Sequence, residues 1–566
     1  MTAPLRSHRR LLPPATDVFD LAAALLLAAL LVLVLSTFKE YAVSNDEGLQ
    51  HHYGELIIAY YKSGFADRSV FDFQNLYLYG GLFDIIAVLL AHLLPFDLYD
   101  IRHVLSALAG IGGVAATIAT ARMIAGPRAG LLAGLALTLC GVWYGGMFNH
   151  TKDVPFAAAM MGATYYLLRG ARDLPDPRRR DILLFGILLG AALGLRATGL
   201  LMVGYLAVVI LLTAWLRRKG DWRESMRLCA RSLLRFAPAL ALGYVIMIAS
   251  WPWASLDFFN PVRAIFAFAH FHYPVRTVLD GQVYLMSEVP RWYEPDYLAI
   301  KLPLVVLIGA GAGMLSAAWS AIRAGGKALH GTALMEIAML VFVIAFPLFC
   351  QIVGHGPSFT GMRHFMFVVP PLAALAGIGL HVGLSYVEGH GRAAAVAALV
   401  AVLAAFAQDA VALVRLHPYE YLFYNSLVGG LPGAARRYET DYWVNIMPAA
   451  VKDLESYLDQ IDRHDPLRPQ HFTVGVCGER VSFENEADRR LQWTPDWDHA
   501  DFFIAPTHMN CDQVLRGRVV DVIERIGVPI GVVKDLRGLS PQARWTPIEV
   551  AHGPSSNGSA PAAPHG

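Results

Sequence analysis

The chain has 566 residues, of which 55% are hydrophobic and only 16% charged, with a mean hydropathy of +0.44, whereas soluble domains carry about 25% charged residues. That deficit excludes a soluble globular enzyme and marks a polytopic membrane protein. The 46 Lys and Arg nearly balance the 45 Asp and Glu, for a formal net charge of +1, so no nucleic-acid partner is implied.

MTAPLRSHRR has the basic start of a signal sequence but no small-residue cleavage site after it. Residues 1–18 therefore read as a cytoplasmic N-terminus and 19–37 as an uncleaved first span. A hydrocarbon core about 30 Å thick needs roughly 20 apolar residues per helix. Further runs at 102–123, 129–148, 154–170, 182–195, 198–216, 236–252, 302–321, 333–352, 365–385 and 393–414 bring the expectation to about eleven spans, a transmembrane domain over 19–415.

The run 80–95, GGLFDIIAVLLAHLLP, is ambiguous. If it does not cross, the loops holding SHRR, Arg122 with Arg128, RGARDLPDPRRR, WLRRKGDWRESMRLCARSLLR, Arg323 with Lys327, and Arg392 share one side, and all are basic. Short cytoplasmic loops have that character. The run is accordingly read as an interfacial helix within a first external loop, 38–101. This choice places SNDEGLQHHYGE, FNHTKDVPFA, GLRATGL, the loop 253–301 and GPSFTGMRHF on the external side.

Those segments hold the candidate chemistry. Asp46 and Glu47 follow the first span closely, and paired carboxylates suit proton abstraction or metal binding; the bland reading is an acidic turn capping a helix that starts near Gly48. FNHTKDVPFA brings Asn149, His150, Lys152 and Asp153 into five residues, richer than a connector with an acidic helix start requires. Arg196 sits between two apolar runs, where a cation must face a cavity, an anion or the interface, or snorkel. Arg102 flanks the second span, and Arg363 with His364 stand at the outer end of a later one, where a guanidinium can clamp a phosphate. Several cations and a carboxylate pair at one membrane face suit a substrate both lipidic and phosphorylated, such as a polyprenyl-phosphate sugar.

With the acidic pair, the NHTKDVPF segment and the R-H-x-x-x-x-x-P-P run, residues 15–385 resemble the GT-C superfamily of glycosyltransferases. The likeness is to family 39, the dolichyl-phosphate-mannose protein mannosyltransferases and bacterial relatives that include lipid A aminoarabinose transferases. The resemblance implies a bacterial inner-membrane enzyme that takes a sugar from a polyprenyl-phosphate donor on the extracytoplasmic side, with inversion. By motif, Asp46 would be the catalytic carboxylate with Glu47 beside it. Arg102, Lys152, Arg196, Arg363 and His364 would serve the donor phosphate, and His150 and Asp153 the acceptor or the local structure. No segment like the MIR domain of many eukaryotic members is present, which puts a protein acceptor in doubt and leaves an envelope lipid or glycan open. Asp46 and Asp153 permit a divalent ion without demanding one.

Residues 416–552 read as an extracytoplasmic α/β domain. It opens on RLHPYEYLFYNSLVGGLPGAARRYETDYW, similar to an H-P-Y-x-Y-x-x-Y-N run in some bacterial family 39 proteins. Glu420, Glu439 and Asp441 there could bind a sugar or acceptor, or the segment could simply pack on the membrane domain. FTVGVCGE, ADFFIAPTH and GVPIGVVKDL read as strands, PAAVKDLESYLDQI and DQVLRGRVVDVIERIG as helical stretches. Cys477 and Cys511 would pair if this domain faces an oxidising compartment, and the tail 553–566 reads as disordered.

Two other functions compete with transfer. A transporter or flippase of a lipid-linked sugar would use the same cations, but no internal repeat of the kind transporters carry is visible. A sensor would not need eleven spans as an anchor.

Overall fold

A computed structural model of the chain describes residues 17–217, 222–271, 273–323, 332–462 and 471–546. The cytoplasmic reading of residues 1–16 and the tail 553–566 lie outside the described residues.

The membrane domain begins with α1 (Val18–Thr37), whose N-cap Asp17 accepts from the Phe19 amide. After it come α2 (Glu47–Lys62), α3 (Leu82–Leu93), α4 (Leu98–Ala125) and α5 (Pro127–Thr138), then two short turns, α6 (Gly141–Tyr144) and α7 (Gly146–Asn149). Next stand α8 (Asp153–Arg172), α9 (Arg179–Leu193), α10 (Leu201–Arg217) and α11 (Trp222–Ser250), and after them the short α12 (Pro252–Leu256), α13 (Asn260–Ala269) and α14 (Tyr293–Lys301). The bundle closes with α15 (Leu304–Arg323), α16 (Thr332–Gly354), α17 (Val369–Glu388) and α18 (Arg392–Leu416).

Helices occupy all eleven predicted runs, but not uniformly. Among the described residues eight are long and apolar enough to cross a membrane, or nine if α5 and the Gly141–Asn149 segment, bent by 69°, count as one broken span. The two that fall short are α8, which begins on Asp153 and ends on Arg169 and Arg172, and α9, with 15 residues. A second difference is α11, which extends back to Trp222 and makes the whole basic WRESMRLCARSLLR stretch helical, with Arg231 and Arg235 paired to Asp176.

The ambiguous run is α3, 12 residues and about 18 Å long, too short for a bilayer core. It is docked rather than adrift. The Leu82 amide donates to Gly194 O (3.0 Å), and a Cβ on Gly80 would stand 2.1 Å from the same oxygen, so only glycine admits that approach.

The loop 253–301 also contains a β-hairpin, β1 (Arg276–Leu279) with β2 (Gln282–Leu285), turned through Asp280-Gly281, both at positive φ. In the C-terminal domain α19 (Gly430–Ala434) and α20 (Met447–Asp462) precede five strands: β3 (Phe472–Val476), β4 (Leu491–Trp493), β5 (Phe502–Pro506), β6 (Arg518–Arg525) and β7 (Val528–Asp535). Their order is β4-β3-β5-β7-β6, parallel among the first three and antiparallel from β5 on.

One expectation is overturned. Residues Arg518–Arg525, read as helical, form β6. Four β-branched residues in Val519, Val520, Val522 and Ile523 favour a strand, and Ile526-Gly527, both at positive φ, makes the two-residue turn into β7. Cys477 and Cys511 are joined in a disulfide with a Cα–Cα separation of 6.5 Å, within the usual range.

Candidate active site

Asp46 occupies the N-cap position of α2, but its side chain makes no capping hydrogen bond. It is reached instead by Arg363, whose Nη2 lies 3.0 Å from Asp46 Oδ2. The same guanidinium places Nε 3.6 Å from Asp153 Oδ2, and Asp153 also accepts from Arg196. Four of the expected residues, far apart in sequence, thus form one chain: Asp46, Arg363, Asp153, Arg196.

The local fold explains the meeting. Arg363 opens the helical turn before α17, Asp153 is the first residue of α8, and Arg196 stands in extended backbone between α9 and the turn that begins α10. All three side chains come from breaks at helix ends. Exposure separates the two carboxylates: Asp46 is 39% exposed, Asp153 only 4% and shared between two guanidiniums. Arg363 Nε and Arg196 Nε are buried donors with no hydrogen-bond acceptor.

His150 closes another side. Its Nε2 lies 3.1 Å from the Tyr442 hydroxyl, and burial holds the imidazole down to about 4, so it is neutral near pH 7. Lys152 stacks over the Tyr79 ring at 4.5 Å, and burial draws its ammonium down to about 8. The His364 ring lies 4.7 Å from Phe359, one residue along from Arg363.

Glu47 and Arg102 are elsewhere. Both are fully buried, in a network in which Arg102 donates to Asp84 (2.9 Å) and Gln50 (3.3 Å), while its Nε is 3.8 Å from Glu47. Glu47 also accepts from the Ser44 amide (2.8 Å) and stands 3.3 Å from His103. Thr151 donates to Gln50, which ties the NHTKDVPF loop to the same network. Adjacency in sequence does not make Asp46 and Glu47 a pair in space. Arg102 is thus paired with the buried carboxylates of this network, whereas Arg196 and Arg363 belong to the Asp46–Asp153 chain.

Glu439 and Asp441 are likewise internal. Glu439 accepts from Thr277 and the Val278 amide, with His508 3.2 Å away; Asp441 accepts from Tyr421 and from the Asn445 and Ile446 amides. The HPYEYLFYN segment is packed, its Glu420 held by Tyr41 and His417. Between Asp441 and Asn445, however, two residues reach the site. Trp443 lies under the Arg363 guanidinium at 4.4 Å and Tyr442 bonds His150. Sequence reading marked this segment without singling them out. Asp84, the carboxylate within the apolar α3 run, was a further signal, because a charge there needs a partner.

An apolar cavity of about 530 Å³ runs between α3, α4, α8 and α9. Pro155, two residues from Asp153, and Leu195, next to Arg196, line it together with Leu82, and Tyr165 lines it two to three turns along α8 from Pro155. Among the described residues no group of three or more His, Cys, Asp or Glu is placed to hold a metal ion, and Arg363 already bridges Asp46 and Asp153.

Residues 83–242 match the family model for dolichyl-phosphate-mannose-protein mannosyltransferases. No curated protein matches the chain. Solved structures that resemble it include ArnT from Cupriavidus metallidurans bound to undecaprenyl phosphate, 19% identical over 90% of this chain and 97% of that one, with a TM-score of 0.45. Another is the oligosaccharyltransferase AglB from Archaeoglobus fulgidus in complex with an inhibitory peptide and a dolichol-phosphate, 10% identical over 87% of this chain and 70% of that one, with a TM-score of 0.46. The likeness to protein mannosyltransferases expected from the sequence agrees with this match, which includes the NHTKDVPF segment but not Asp46 and Glu47.

Proposed function

We propose, from that kinship and from the site, that the chain is a membrane glycosyltransferase that moves a sugar from a polyprenyl-phosphate donor to an extracytoplasmic acceptor, with inversion at the anomeric carbon. The observation that carries it is the Asp46–Arg363–Asp153–Arg196 chain, near an apolar cavity that Pro155 and Leu195 line. The cavity suits a polyprenyl tail. Two guanidiniums, each with a buried Nε–H that makes no hydrogen bond, suit the phosphate. ArnT and AglB, as their structures are described, bind undecaprenyl phosphate and dolichol-phosphate, which agrees with this class of donor.

The chemistry follows from the charges. A phosphate arriving at Arg363 competes with Asp46 for the guanidinium and frees that carboxylate. Asp46 Oδ2 takes the proton of the acceptor hydroxyl or amine as the acceptor atom bonds to the anomeric carbon, and the bond from that carbon to the phosphate oxygen breaks. The electron pair stays on the phosphate, stabilised by Arg196 and Arg363. Asp153, neutralised by both arginines, holds them in register instead of accepting the proton. Attack and departure on opposite faces of the sugar give inversion.

The Cys477–Cys511 disulfide and the basic loops support an extracytoplasmic C-terminal domain in a bacterial inner membrane. The test is Asp46→Asn in nanodiscs supplied with polyprenyl-phosphate sugars and an envelope extract. Transfer is expected to disappear while melting temperature and donor retention persist. Normal transfer by the variant would overturn the assignment.

A further inference from the structure

A second cavity, of about 850 Å³, lies between α15, α17 and α18, on a different set of helices from the donor cavity. All three belong to candidate spans, which puts this part of the cavity at membrane depth, while residues 423–432 and Ile526 line the rest. Along α18 its lining runs from Ala401 to Leu416, about 22 Å. The helical walls are apolar apart from Gln408 and Asp409, and past Leu416 the loop adds Asn425 and Ser426 beside Phe423 and Leu431. A long, mostly apolar slot with a few polar groups suits a lipid.

The independent observation is Asp409. It lines the cavity, is 8% exposed, and makes no hydrogen bond or ion pair among the described residues. A carboxyl group on a membrane helix is costly unless something meets it. It stands about 10 Å below the C-terminal end of α18, and that helix, about 38 Å long, exceeds a hydrocarbon core of about 30 Å. Asp409 therefore lies between about 2 and 10 Å inside the hydrocarbon boundary, within reach of the junction where the head of a lipid joins its chains.

We propose that this cavity binds a lipid bearing a free hydroxyl or amide N–H at its head–tail junction, with that donor bonded to Asp409 and the chains along α15 and α18. The site does not depend on the transferase reading, and its test uses no turnover. The purified full chain in nanodiscs is offered a lysophosphatidylcholine, which has a free glycerol hydroxyl, and the matching O-methyl ether, which has the same head and chain but no donor. Binding is read by native mass spectrometry. The hydroxyl lipid is expected to bind roughly tenfold more tightly, Asp409→Leu to equalise the two, and Ala405→Trp to weaken both. Equal affinities in the unmodified chain, or a preference that survives Asp409→Leu, would overturn the proposal. Leucine is well tolerated in a membrane helix, so this variant remains readable if Ala405→Trp misfolds.

Discussion

Asp46 and Glu47 are neighbours with opposite fates, because consecutive residues at a helix start point about 100° apart. A single step along the helix sends Asp46 toward Arg363 and Glu47 into the interior beside Arg102 and His103. The same division separates the arginines and gives a prediction. Arg102→Met leaves Glu47 and Asp84 as buried carboxylates without their cation, at a cost of about 3–5 kcal/mol. It should lower the melting temperature or expression sharply, measured by fluorescence-detected size exclusion after heating. Arg363→Lys keeps a charge but loses the planar fork over Trp443 and toward Asp46 and Asp153. It should leave the melting temperature within a degree or two and reduce kcat by roughly 10²–10³-fold. An Arg102 variant of normal stability with impaired donor binding would return that residue to the phosphate. The sequence exposed each of these residues as a charge beside an apolar run. Which of them turn inward depends on rotation about helix axes, and linear spacing does not carry that.

At the scale of elements, the spans were legible because about 20 consecutive apolar residues have few alternatives. The break at Cys140 between α5 and the Gly141–Asn149 turns was not, since nothing in LALTLCGVWYGGM interrupts the hydrophobicity. Strand β6 differs from the helical expectation because its apolar positions fit a helical face as well as a strand, and the Ile526-Gly527 turn that decides the matter lacks the usual Asn or Asp. The HPYEYLFYN segment was conspicuous in composition, and packing explains it. Its first residue, His417, is hydrogen-bonded to Glu420 and Glu40, and these bonds raise its imidazole to about 8. A histidine whose folded value exceeds its unfolded value of about 6.5 adds stability that is complete below that value and is lost as pH rises through the folded one. Because the group is half-buried, solvent screening reduces its contribution to about 1 kcal/mol. The melting temperature of the solubilised chain should therefore fall between about pH 6.5 and 8, and His417→Gln should remove that slope. A slope unchanged in the variant would assign the titration to another group.

At the scale of the whole molecule, the C-terminal domain is part of the candidate site and not an appendage. Ser482 Oγ donates to Val43 O (2.6 Å), the Glu479 amide donates to Asn45 (3.2 Å), and a Cβ on Gly48 would press on Val481 at 3.3 Å. The start of α2, with Asp46 on it, is thus clamped by the domain that also supplies Tyr442 and Trp443. Asn445 is where these ties converge. Its side-chain oxygen accepts from the Ala42 amide (2.8 Å) and from Asn149 (3.4 Å), and its Nδ2 donates to Pro418 O (3.0 Å). One buried amide therefore joins the α1–α2 link, the NHTKDVPF loop and the HPYEYLFYN segment. Asn445→Ala leaves the Ala42 amide and the Pro418 carbonyl unmatched, at about 1–3 kcal/mol. If the domain positions Asp46, the variant should lose kcat at least tenfold while KM for the polyprenyl-phosphate donor stays within about twofold, because Arg196 and its cavity lie outside these contacts. A parallel rise in the donor KM would mean instead that the domain shapes the phosphate site. The conservative Asn445→Asp keeps the acceptor for Ala42 and should recover part of the lost rate, an outcome that a general loss of folding would not produce.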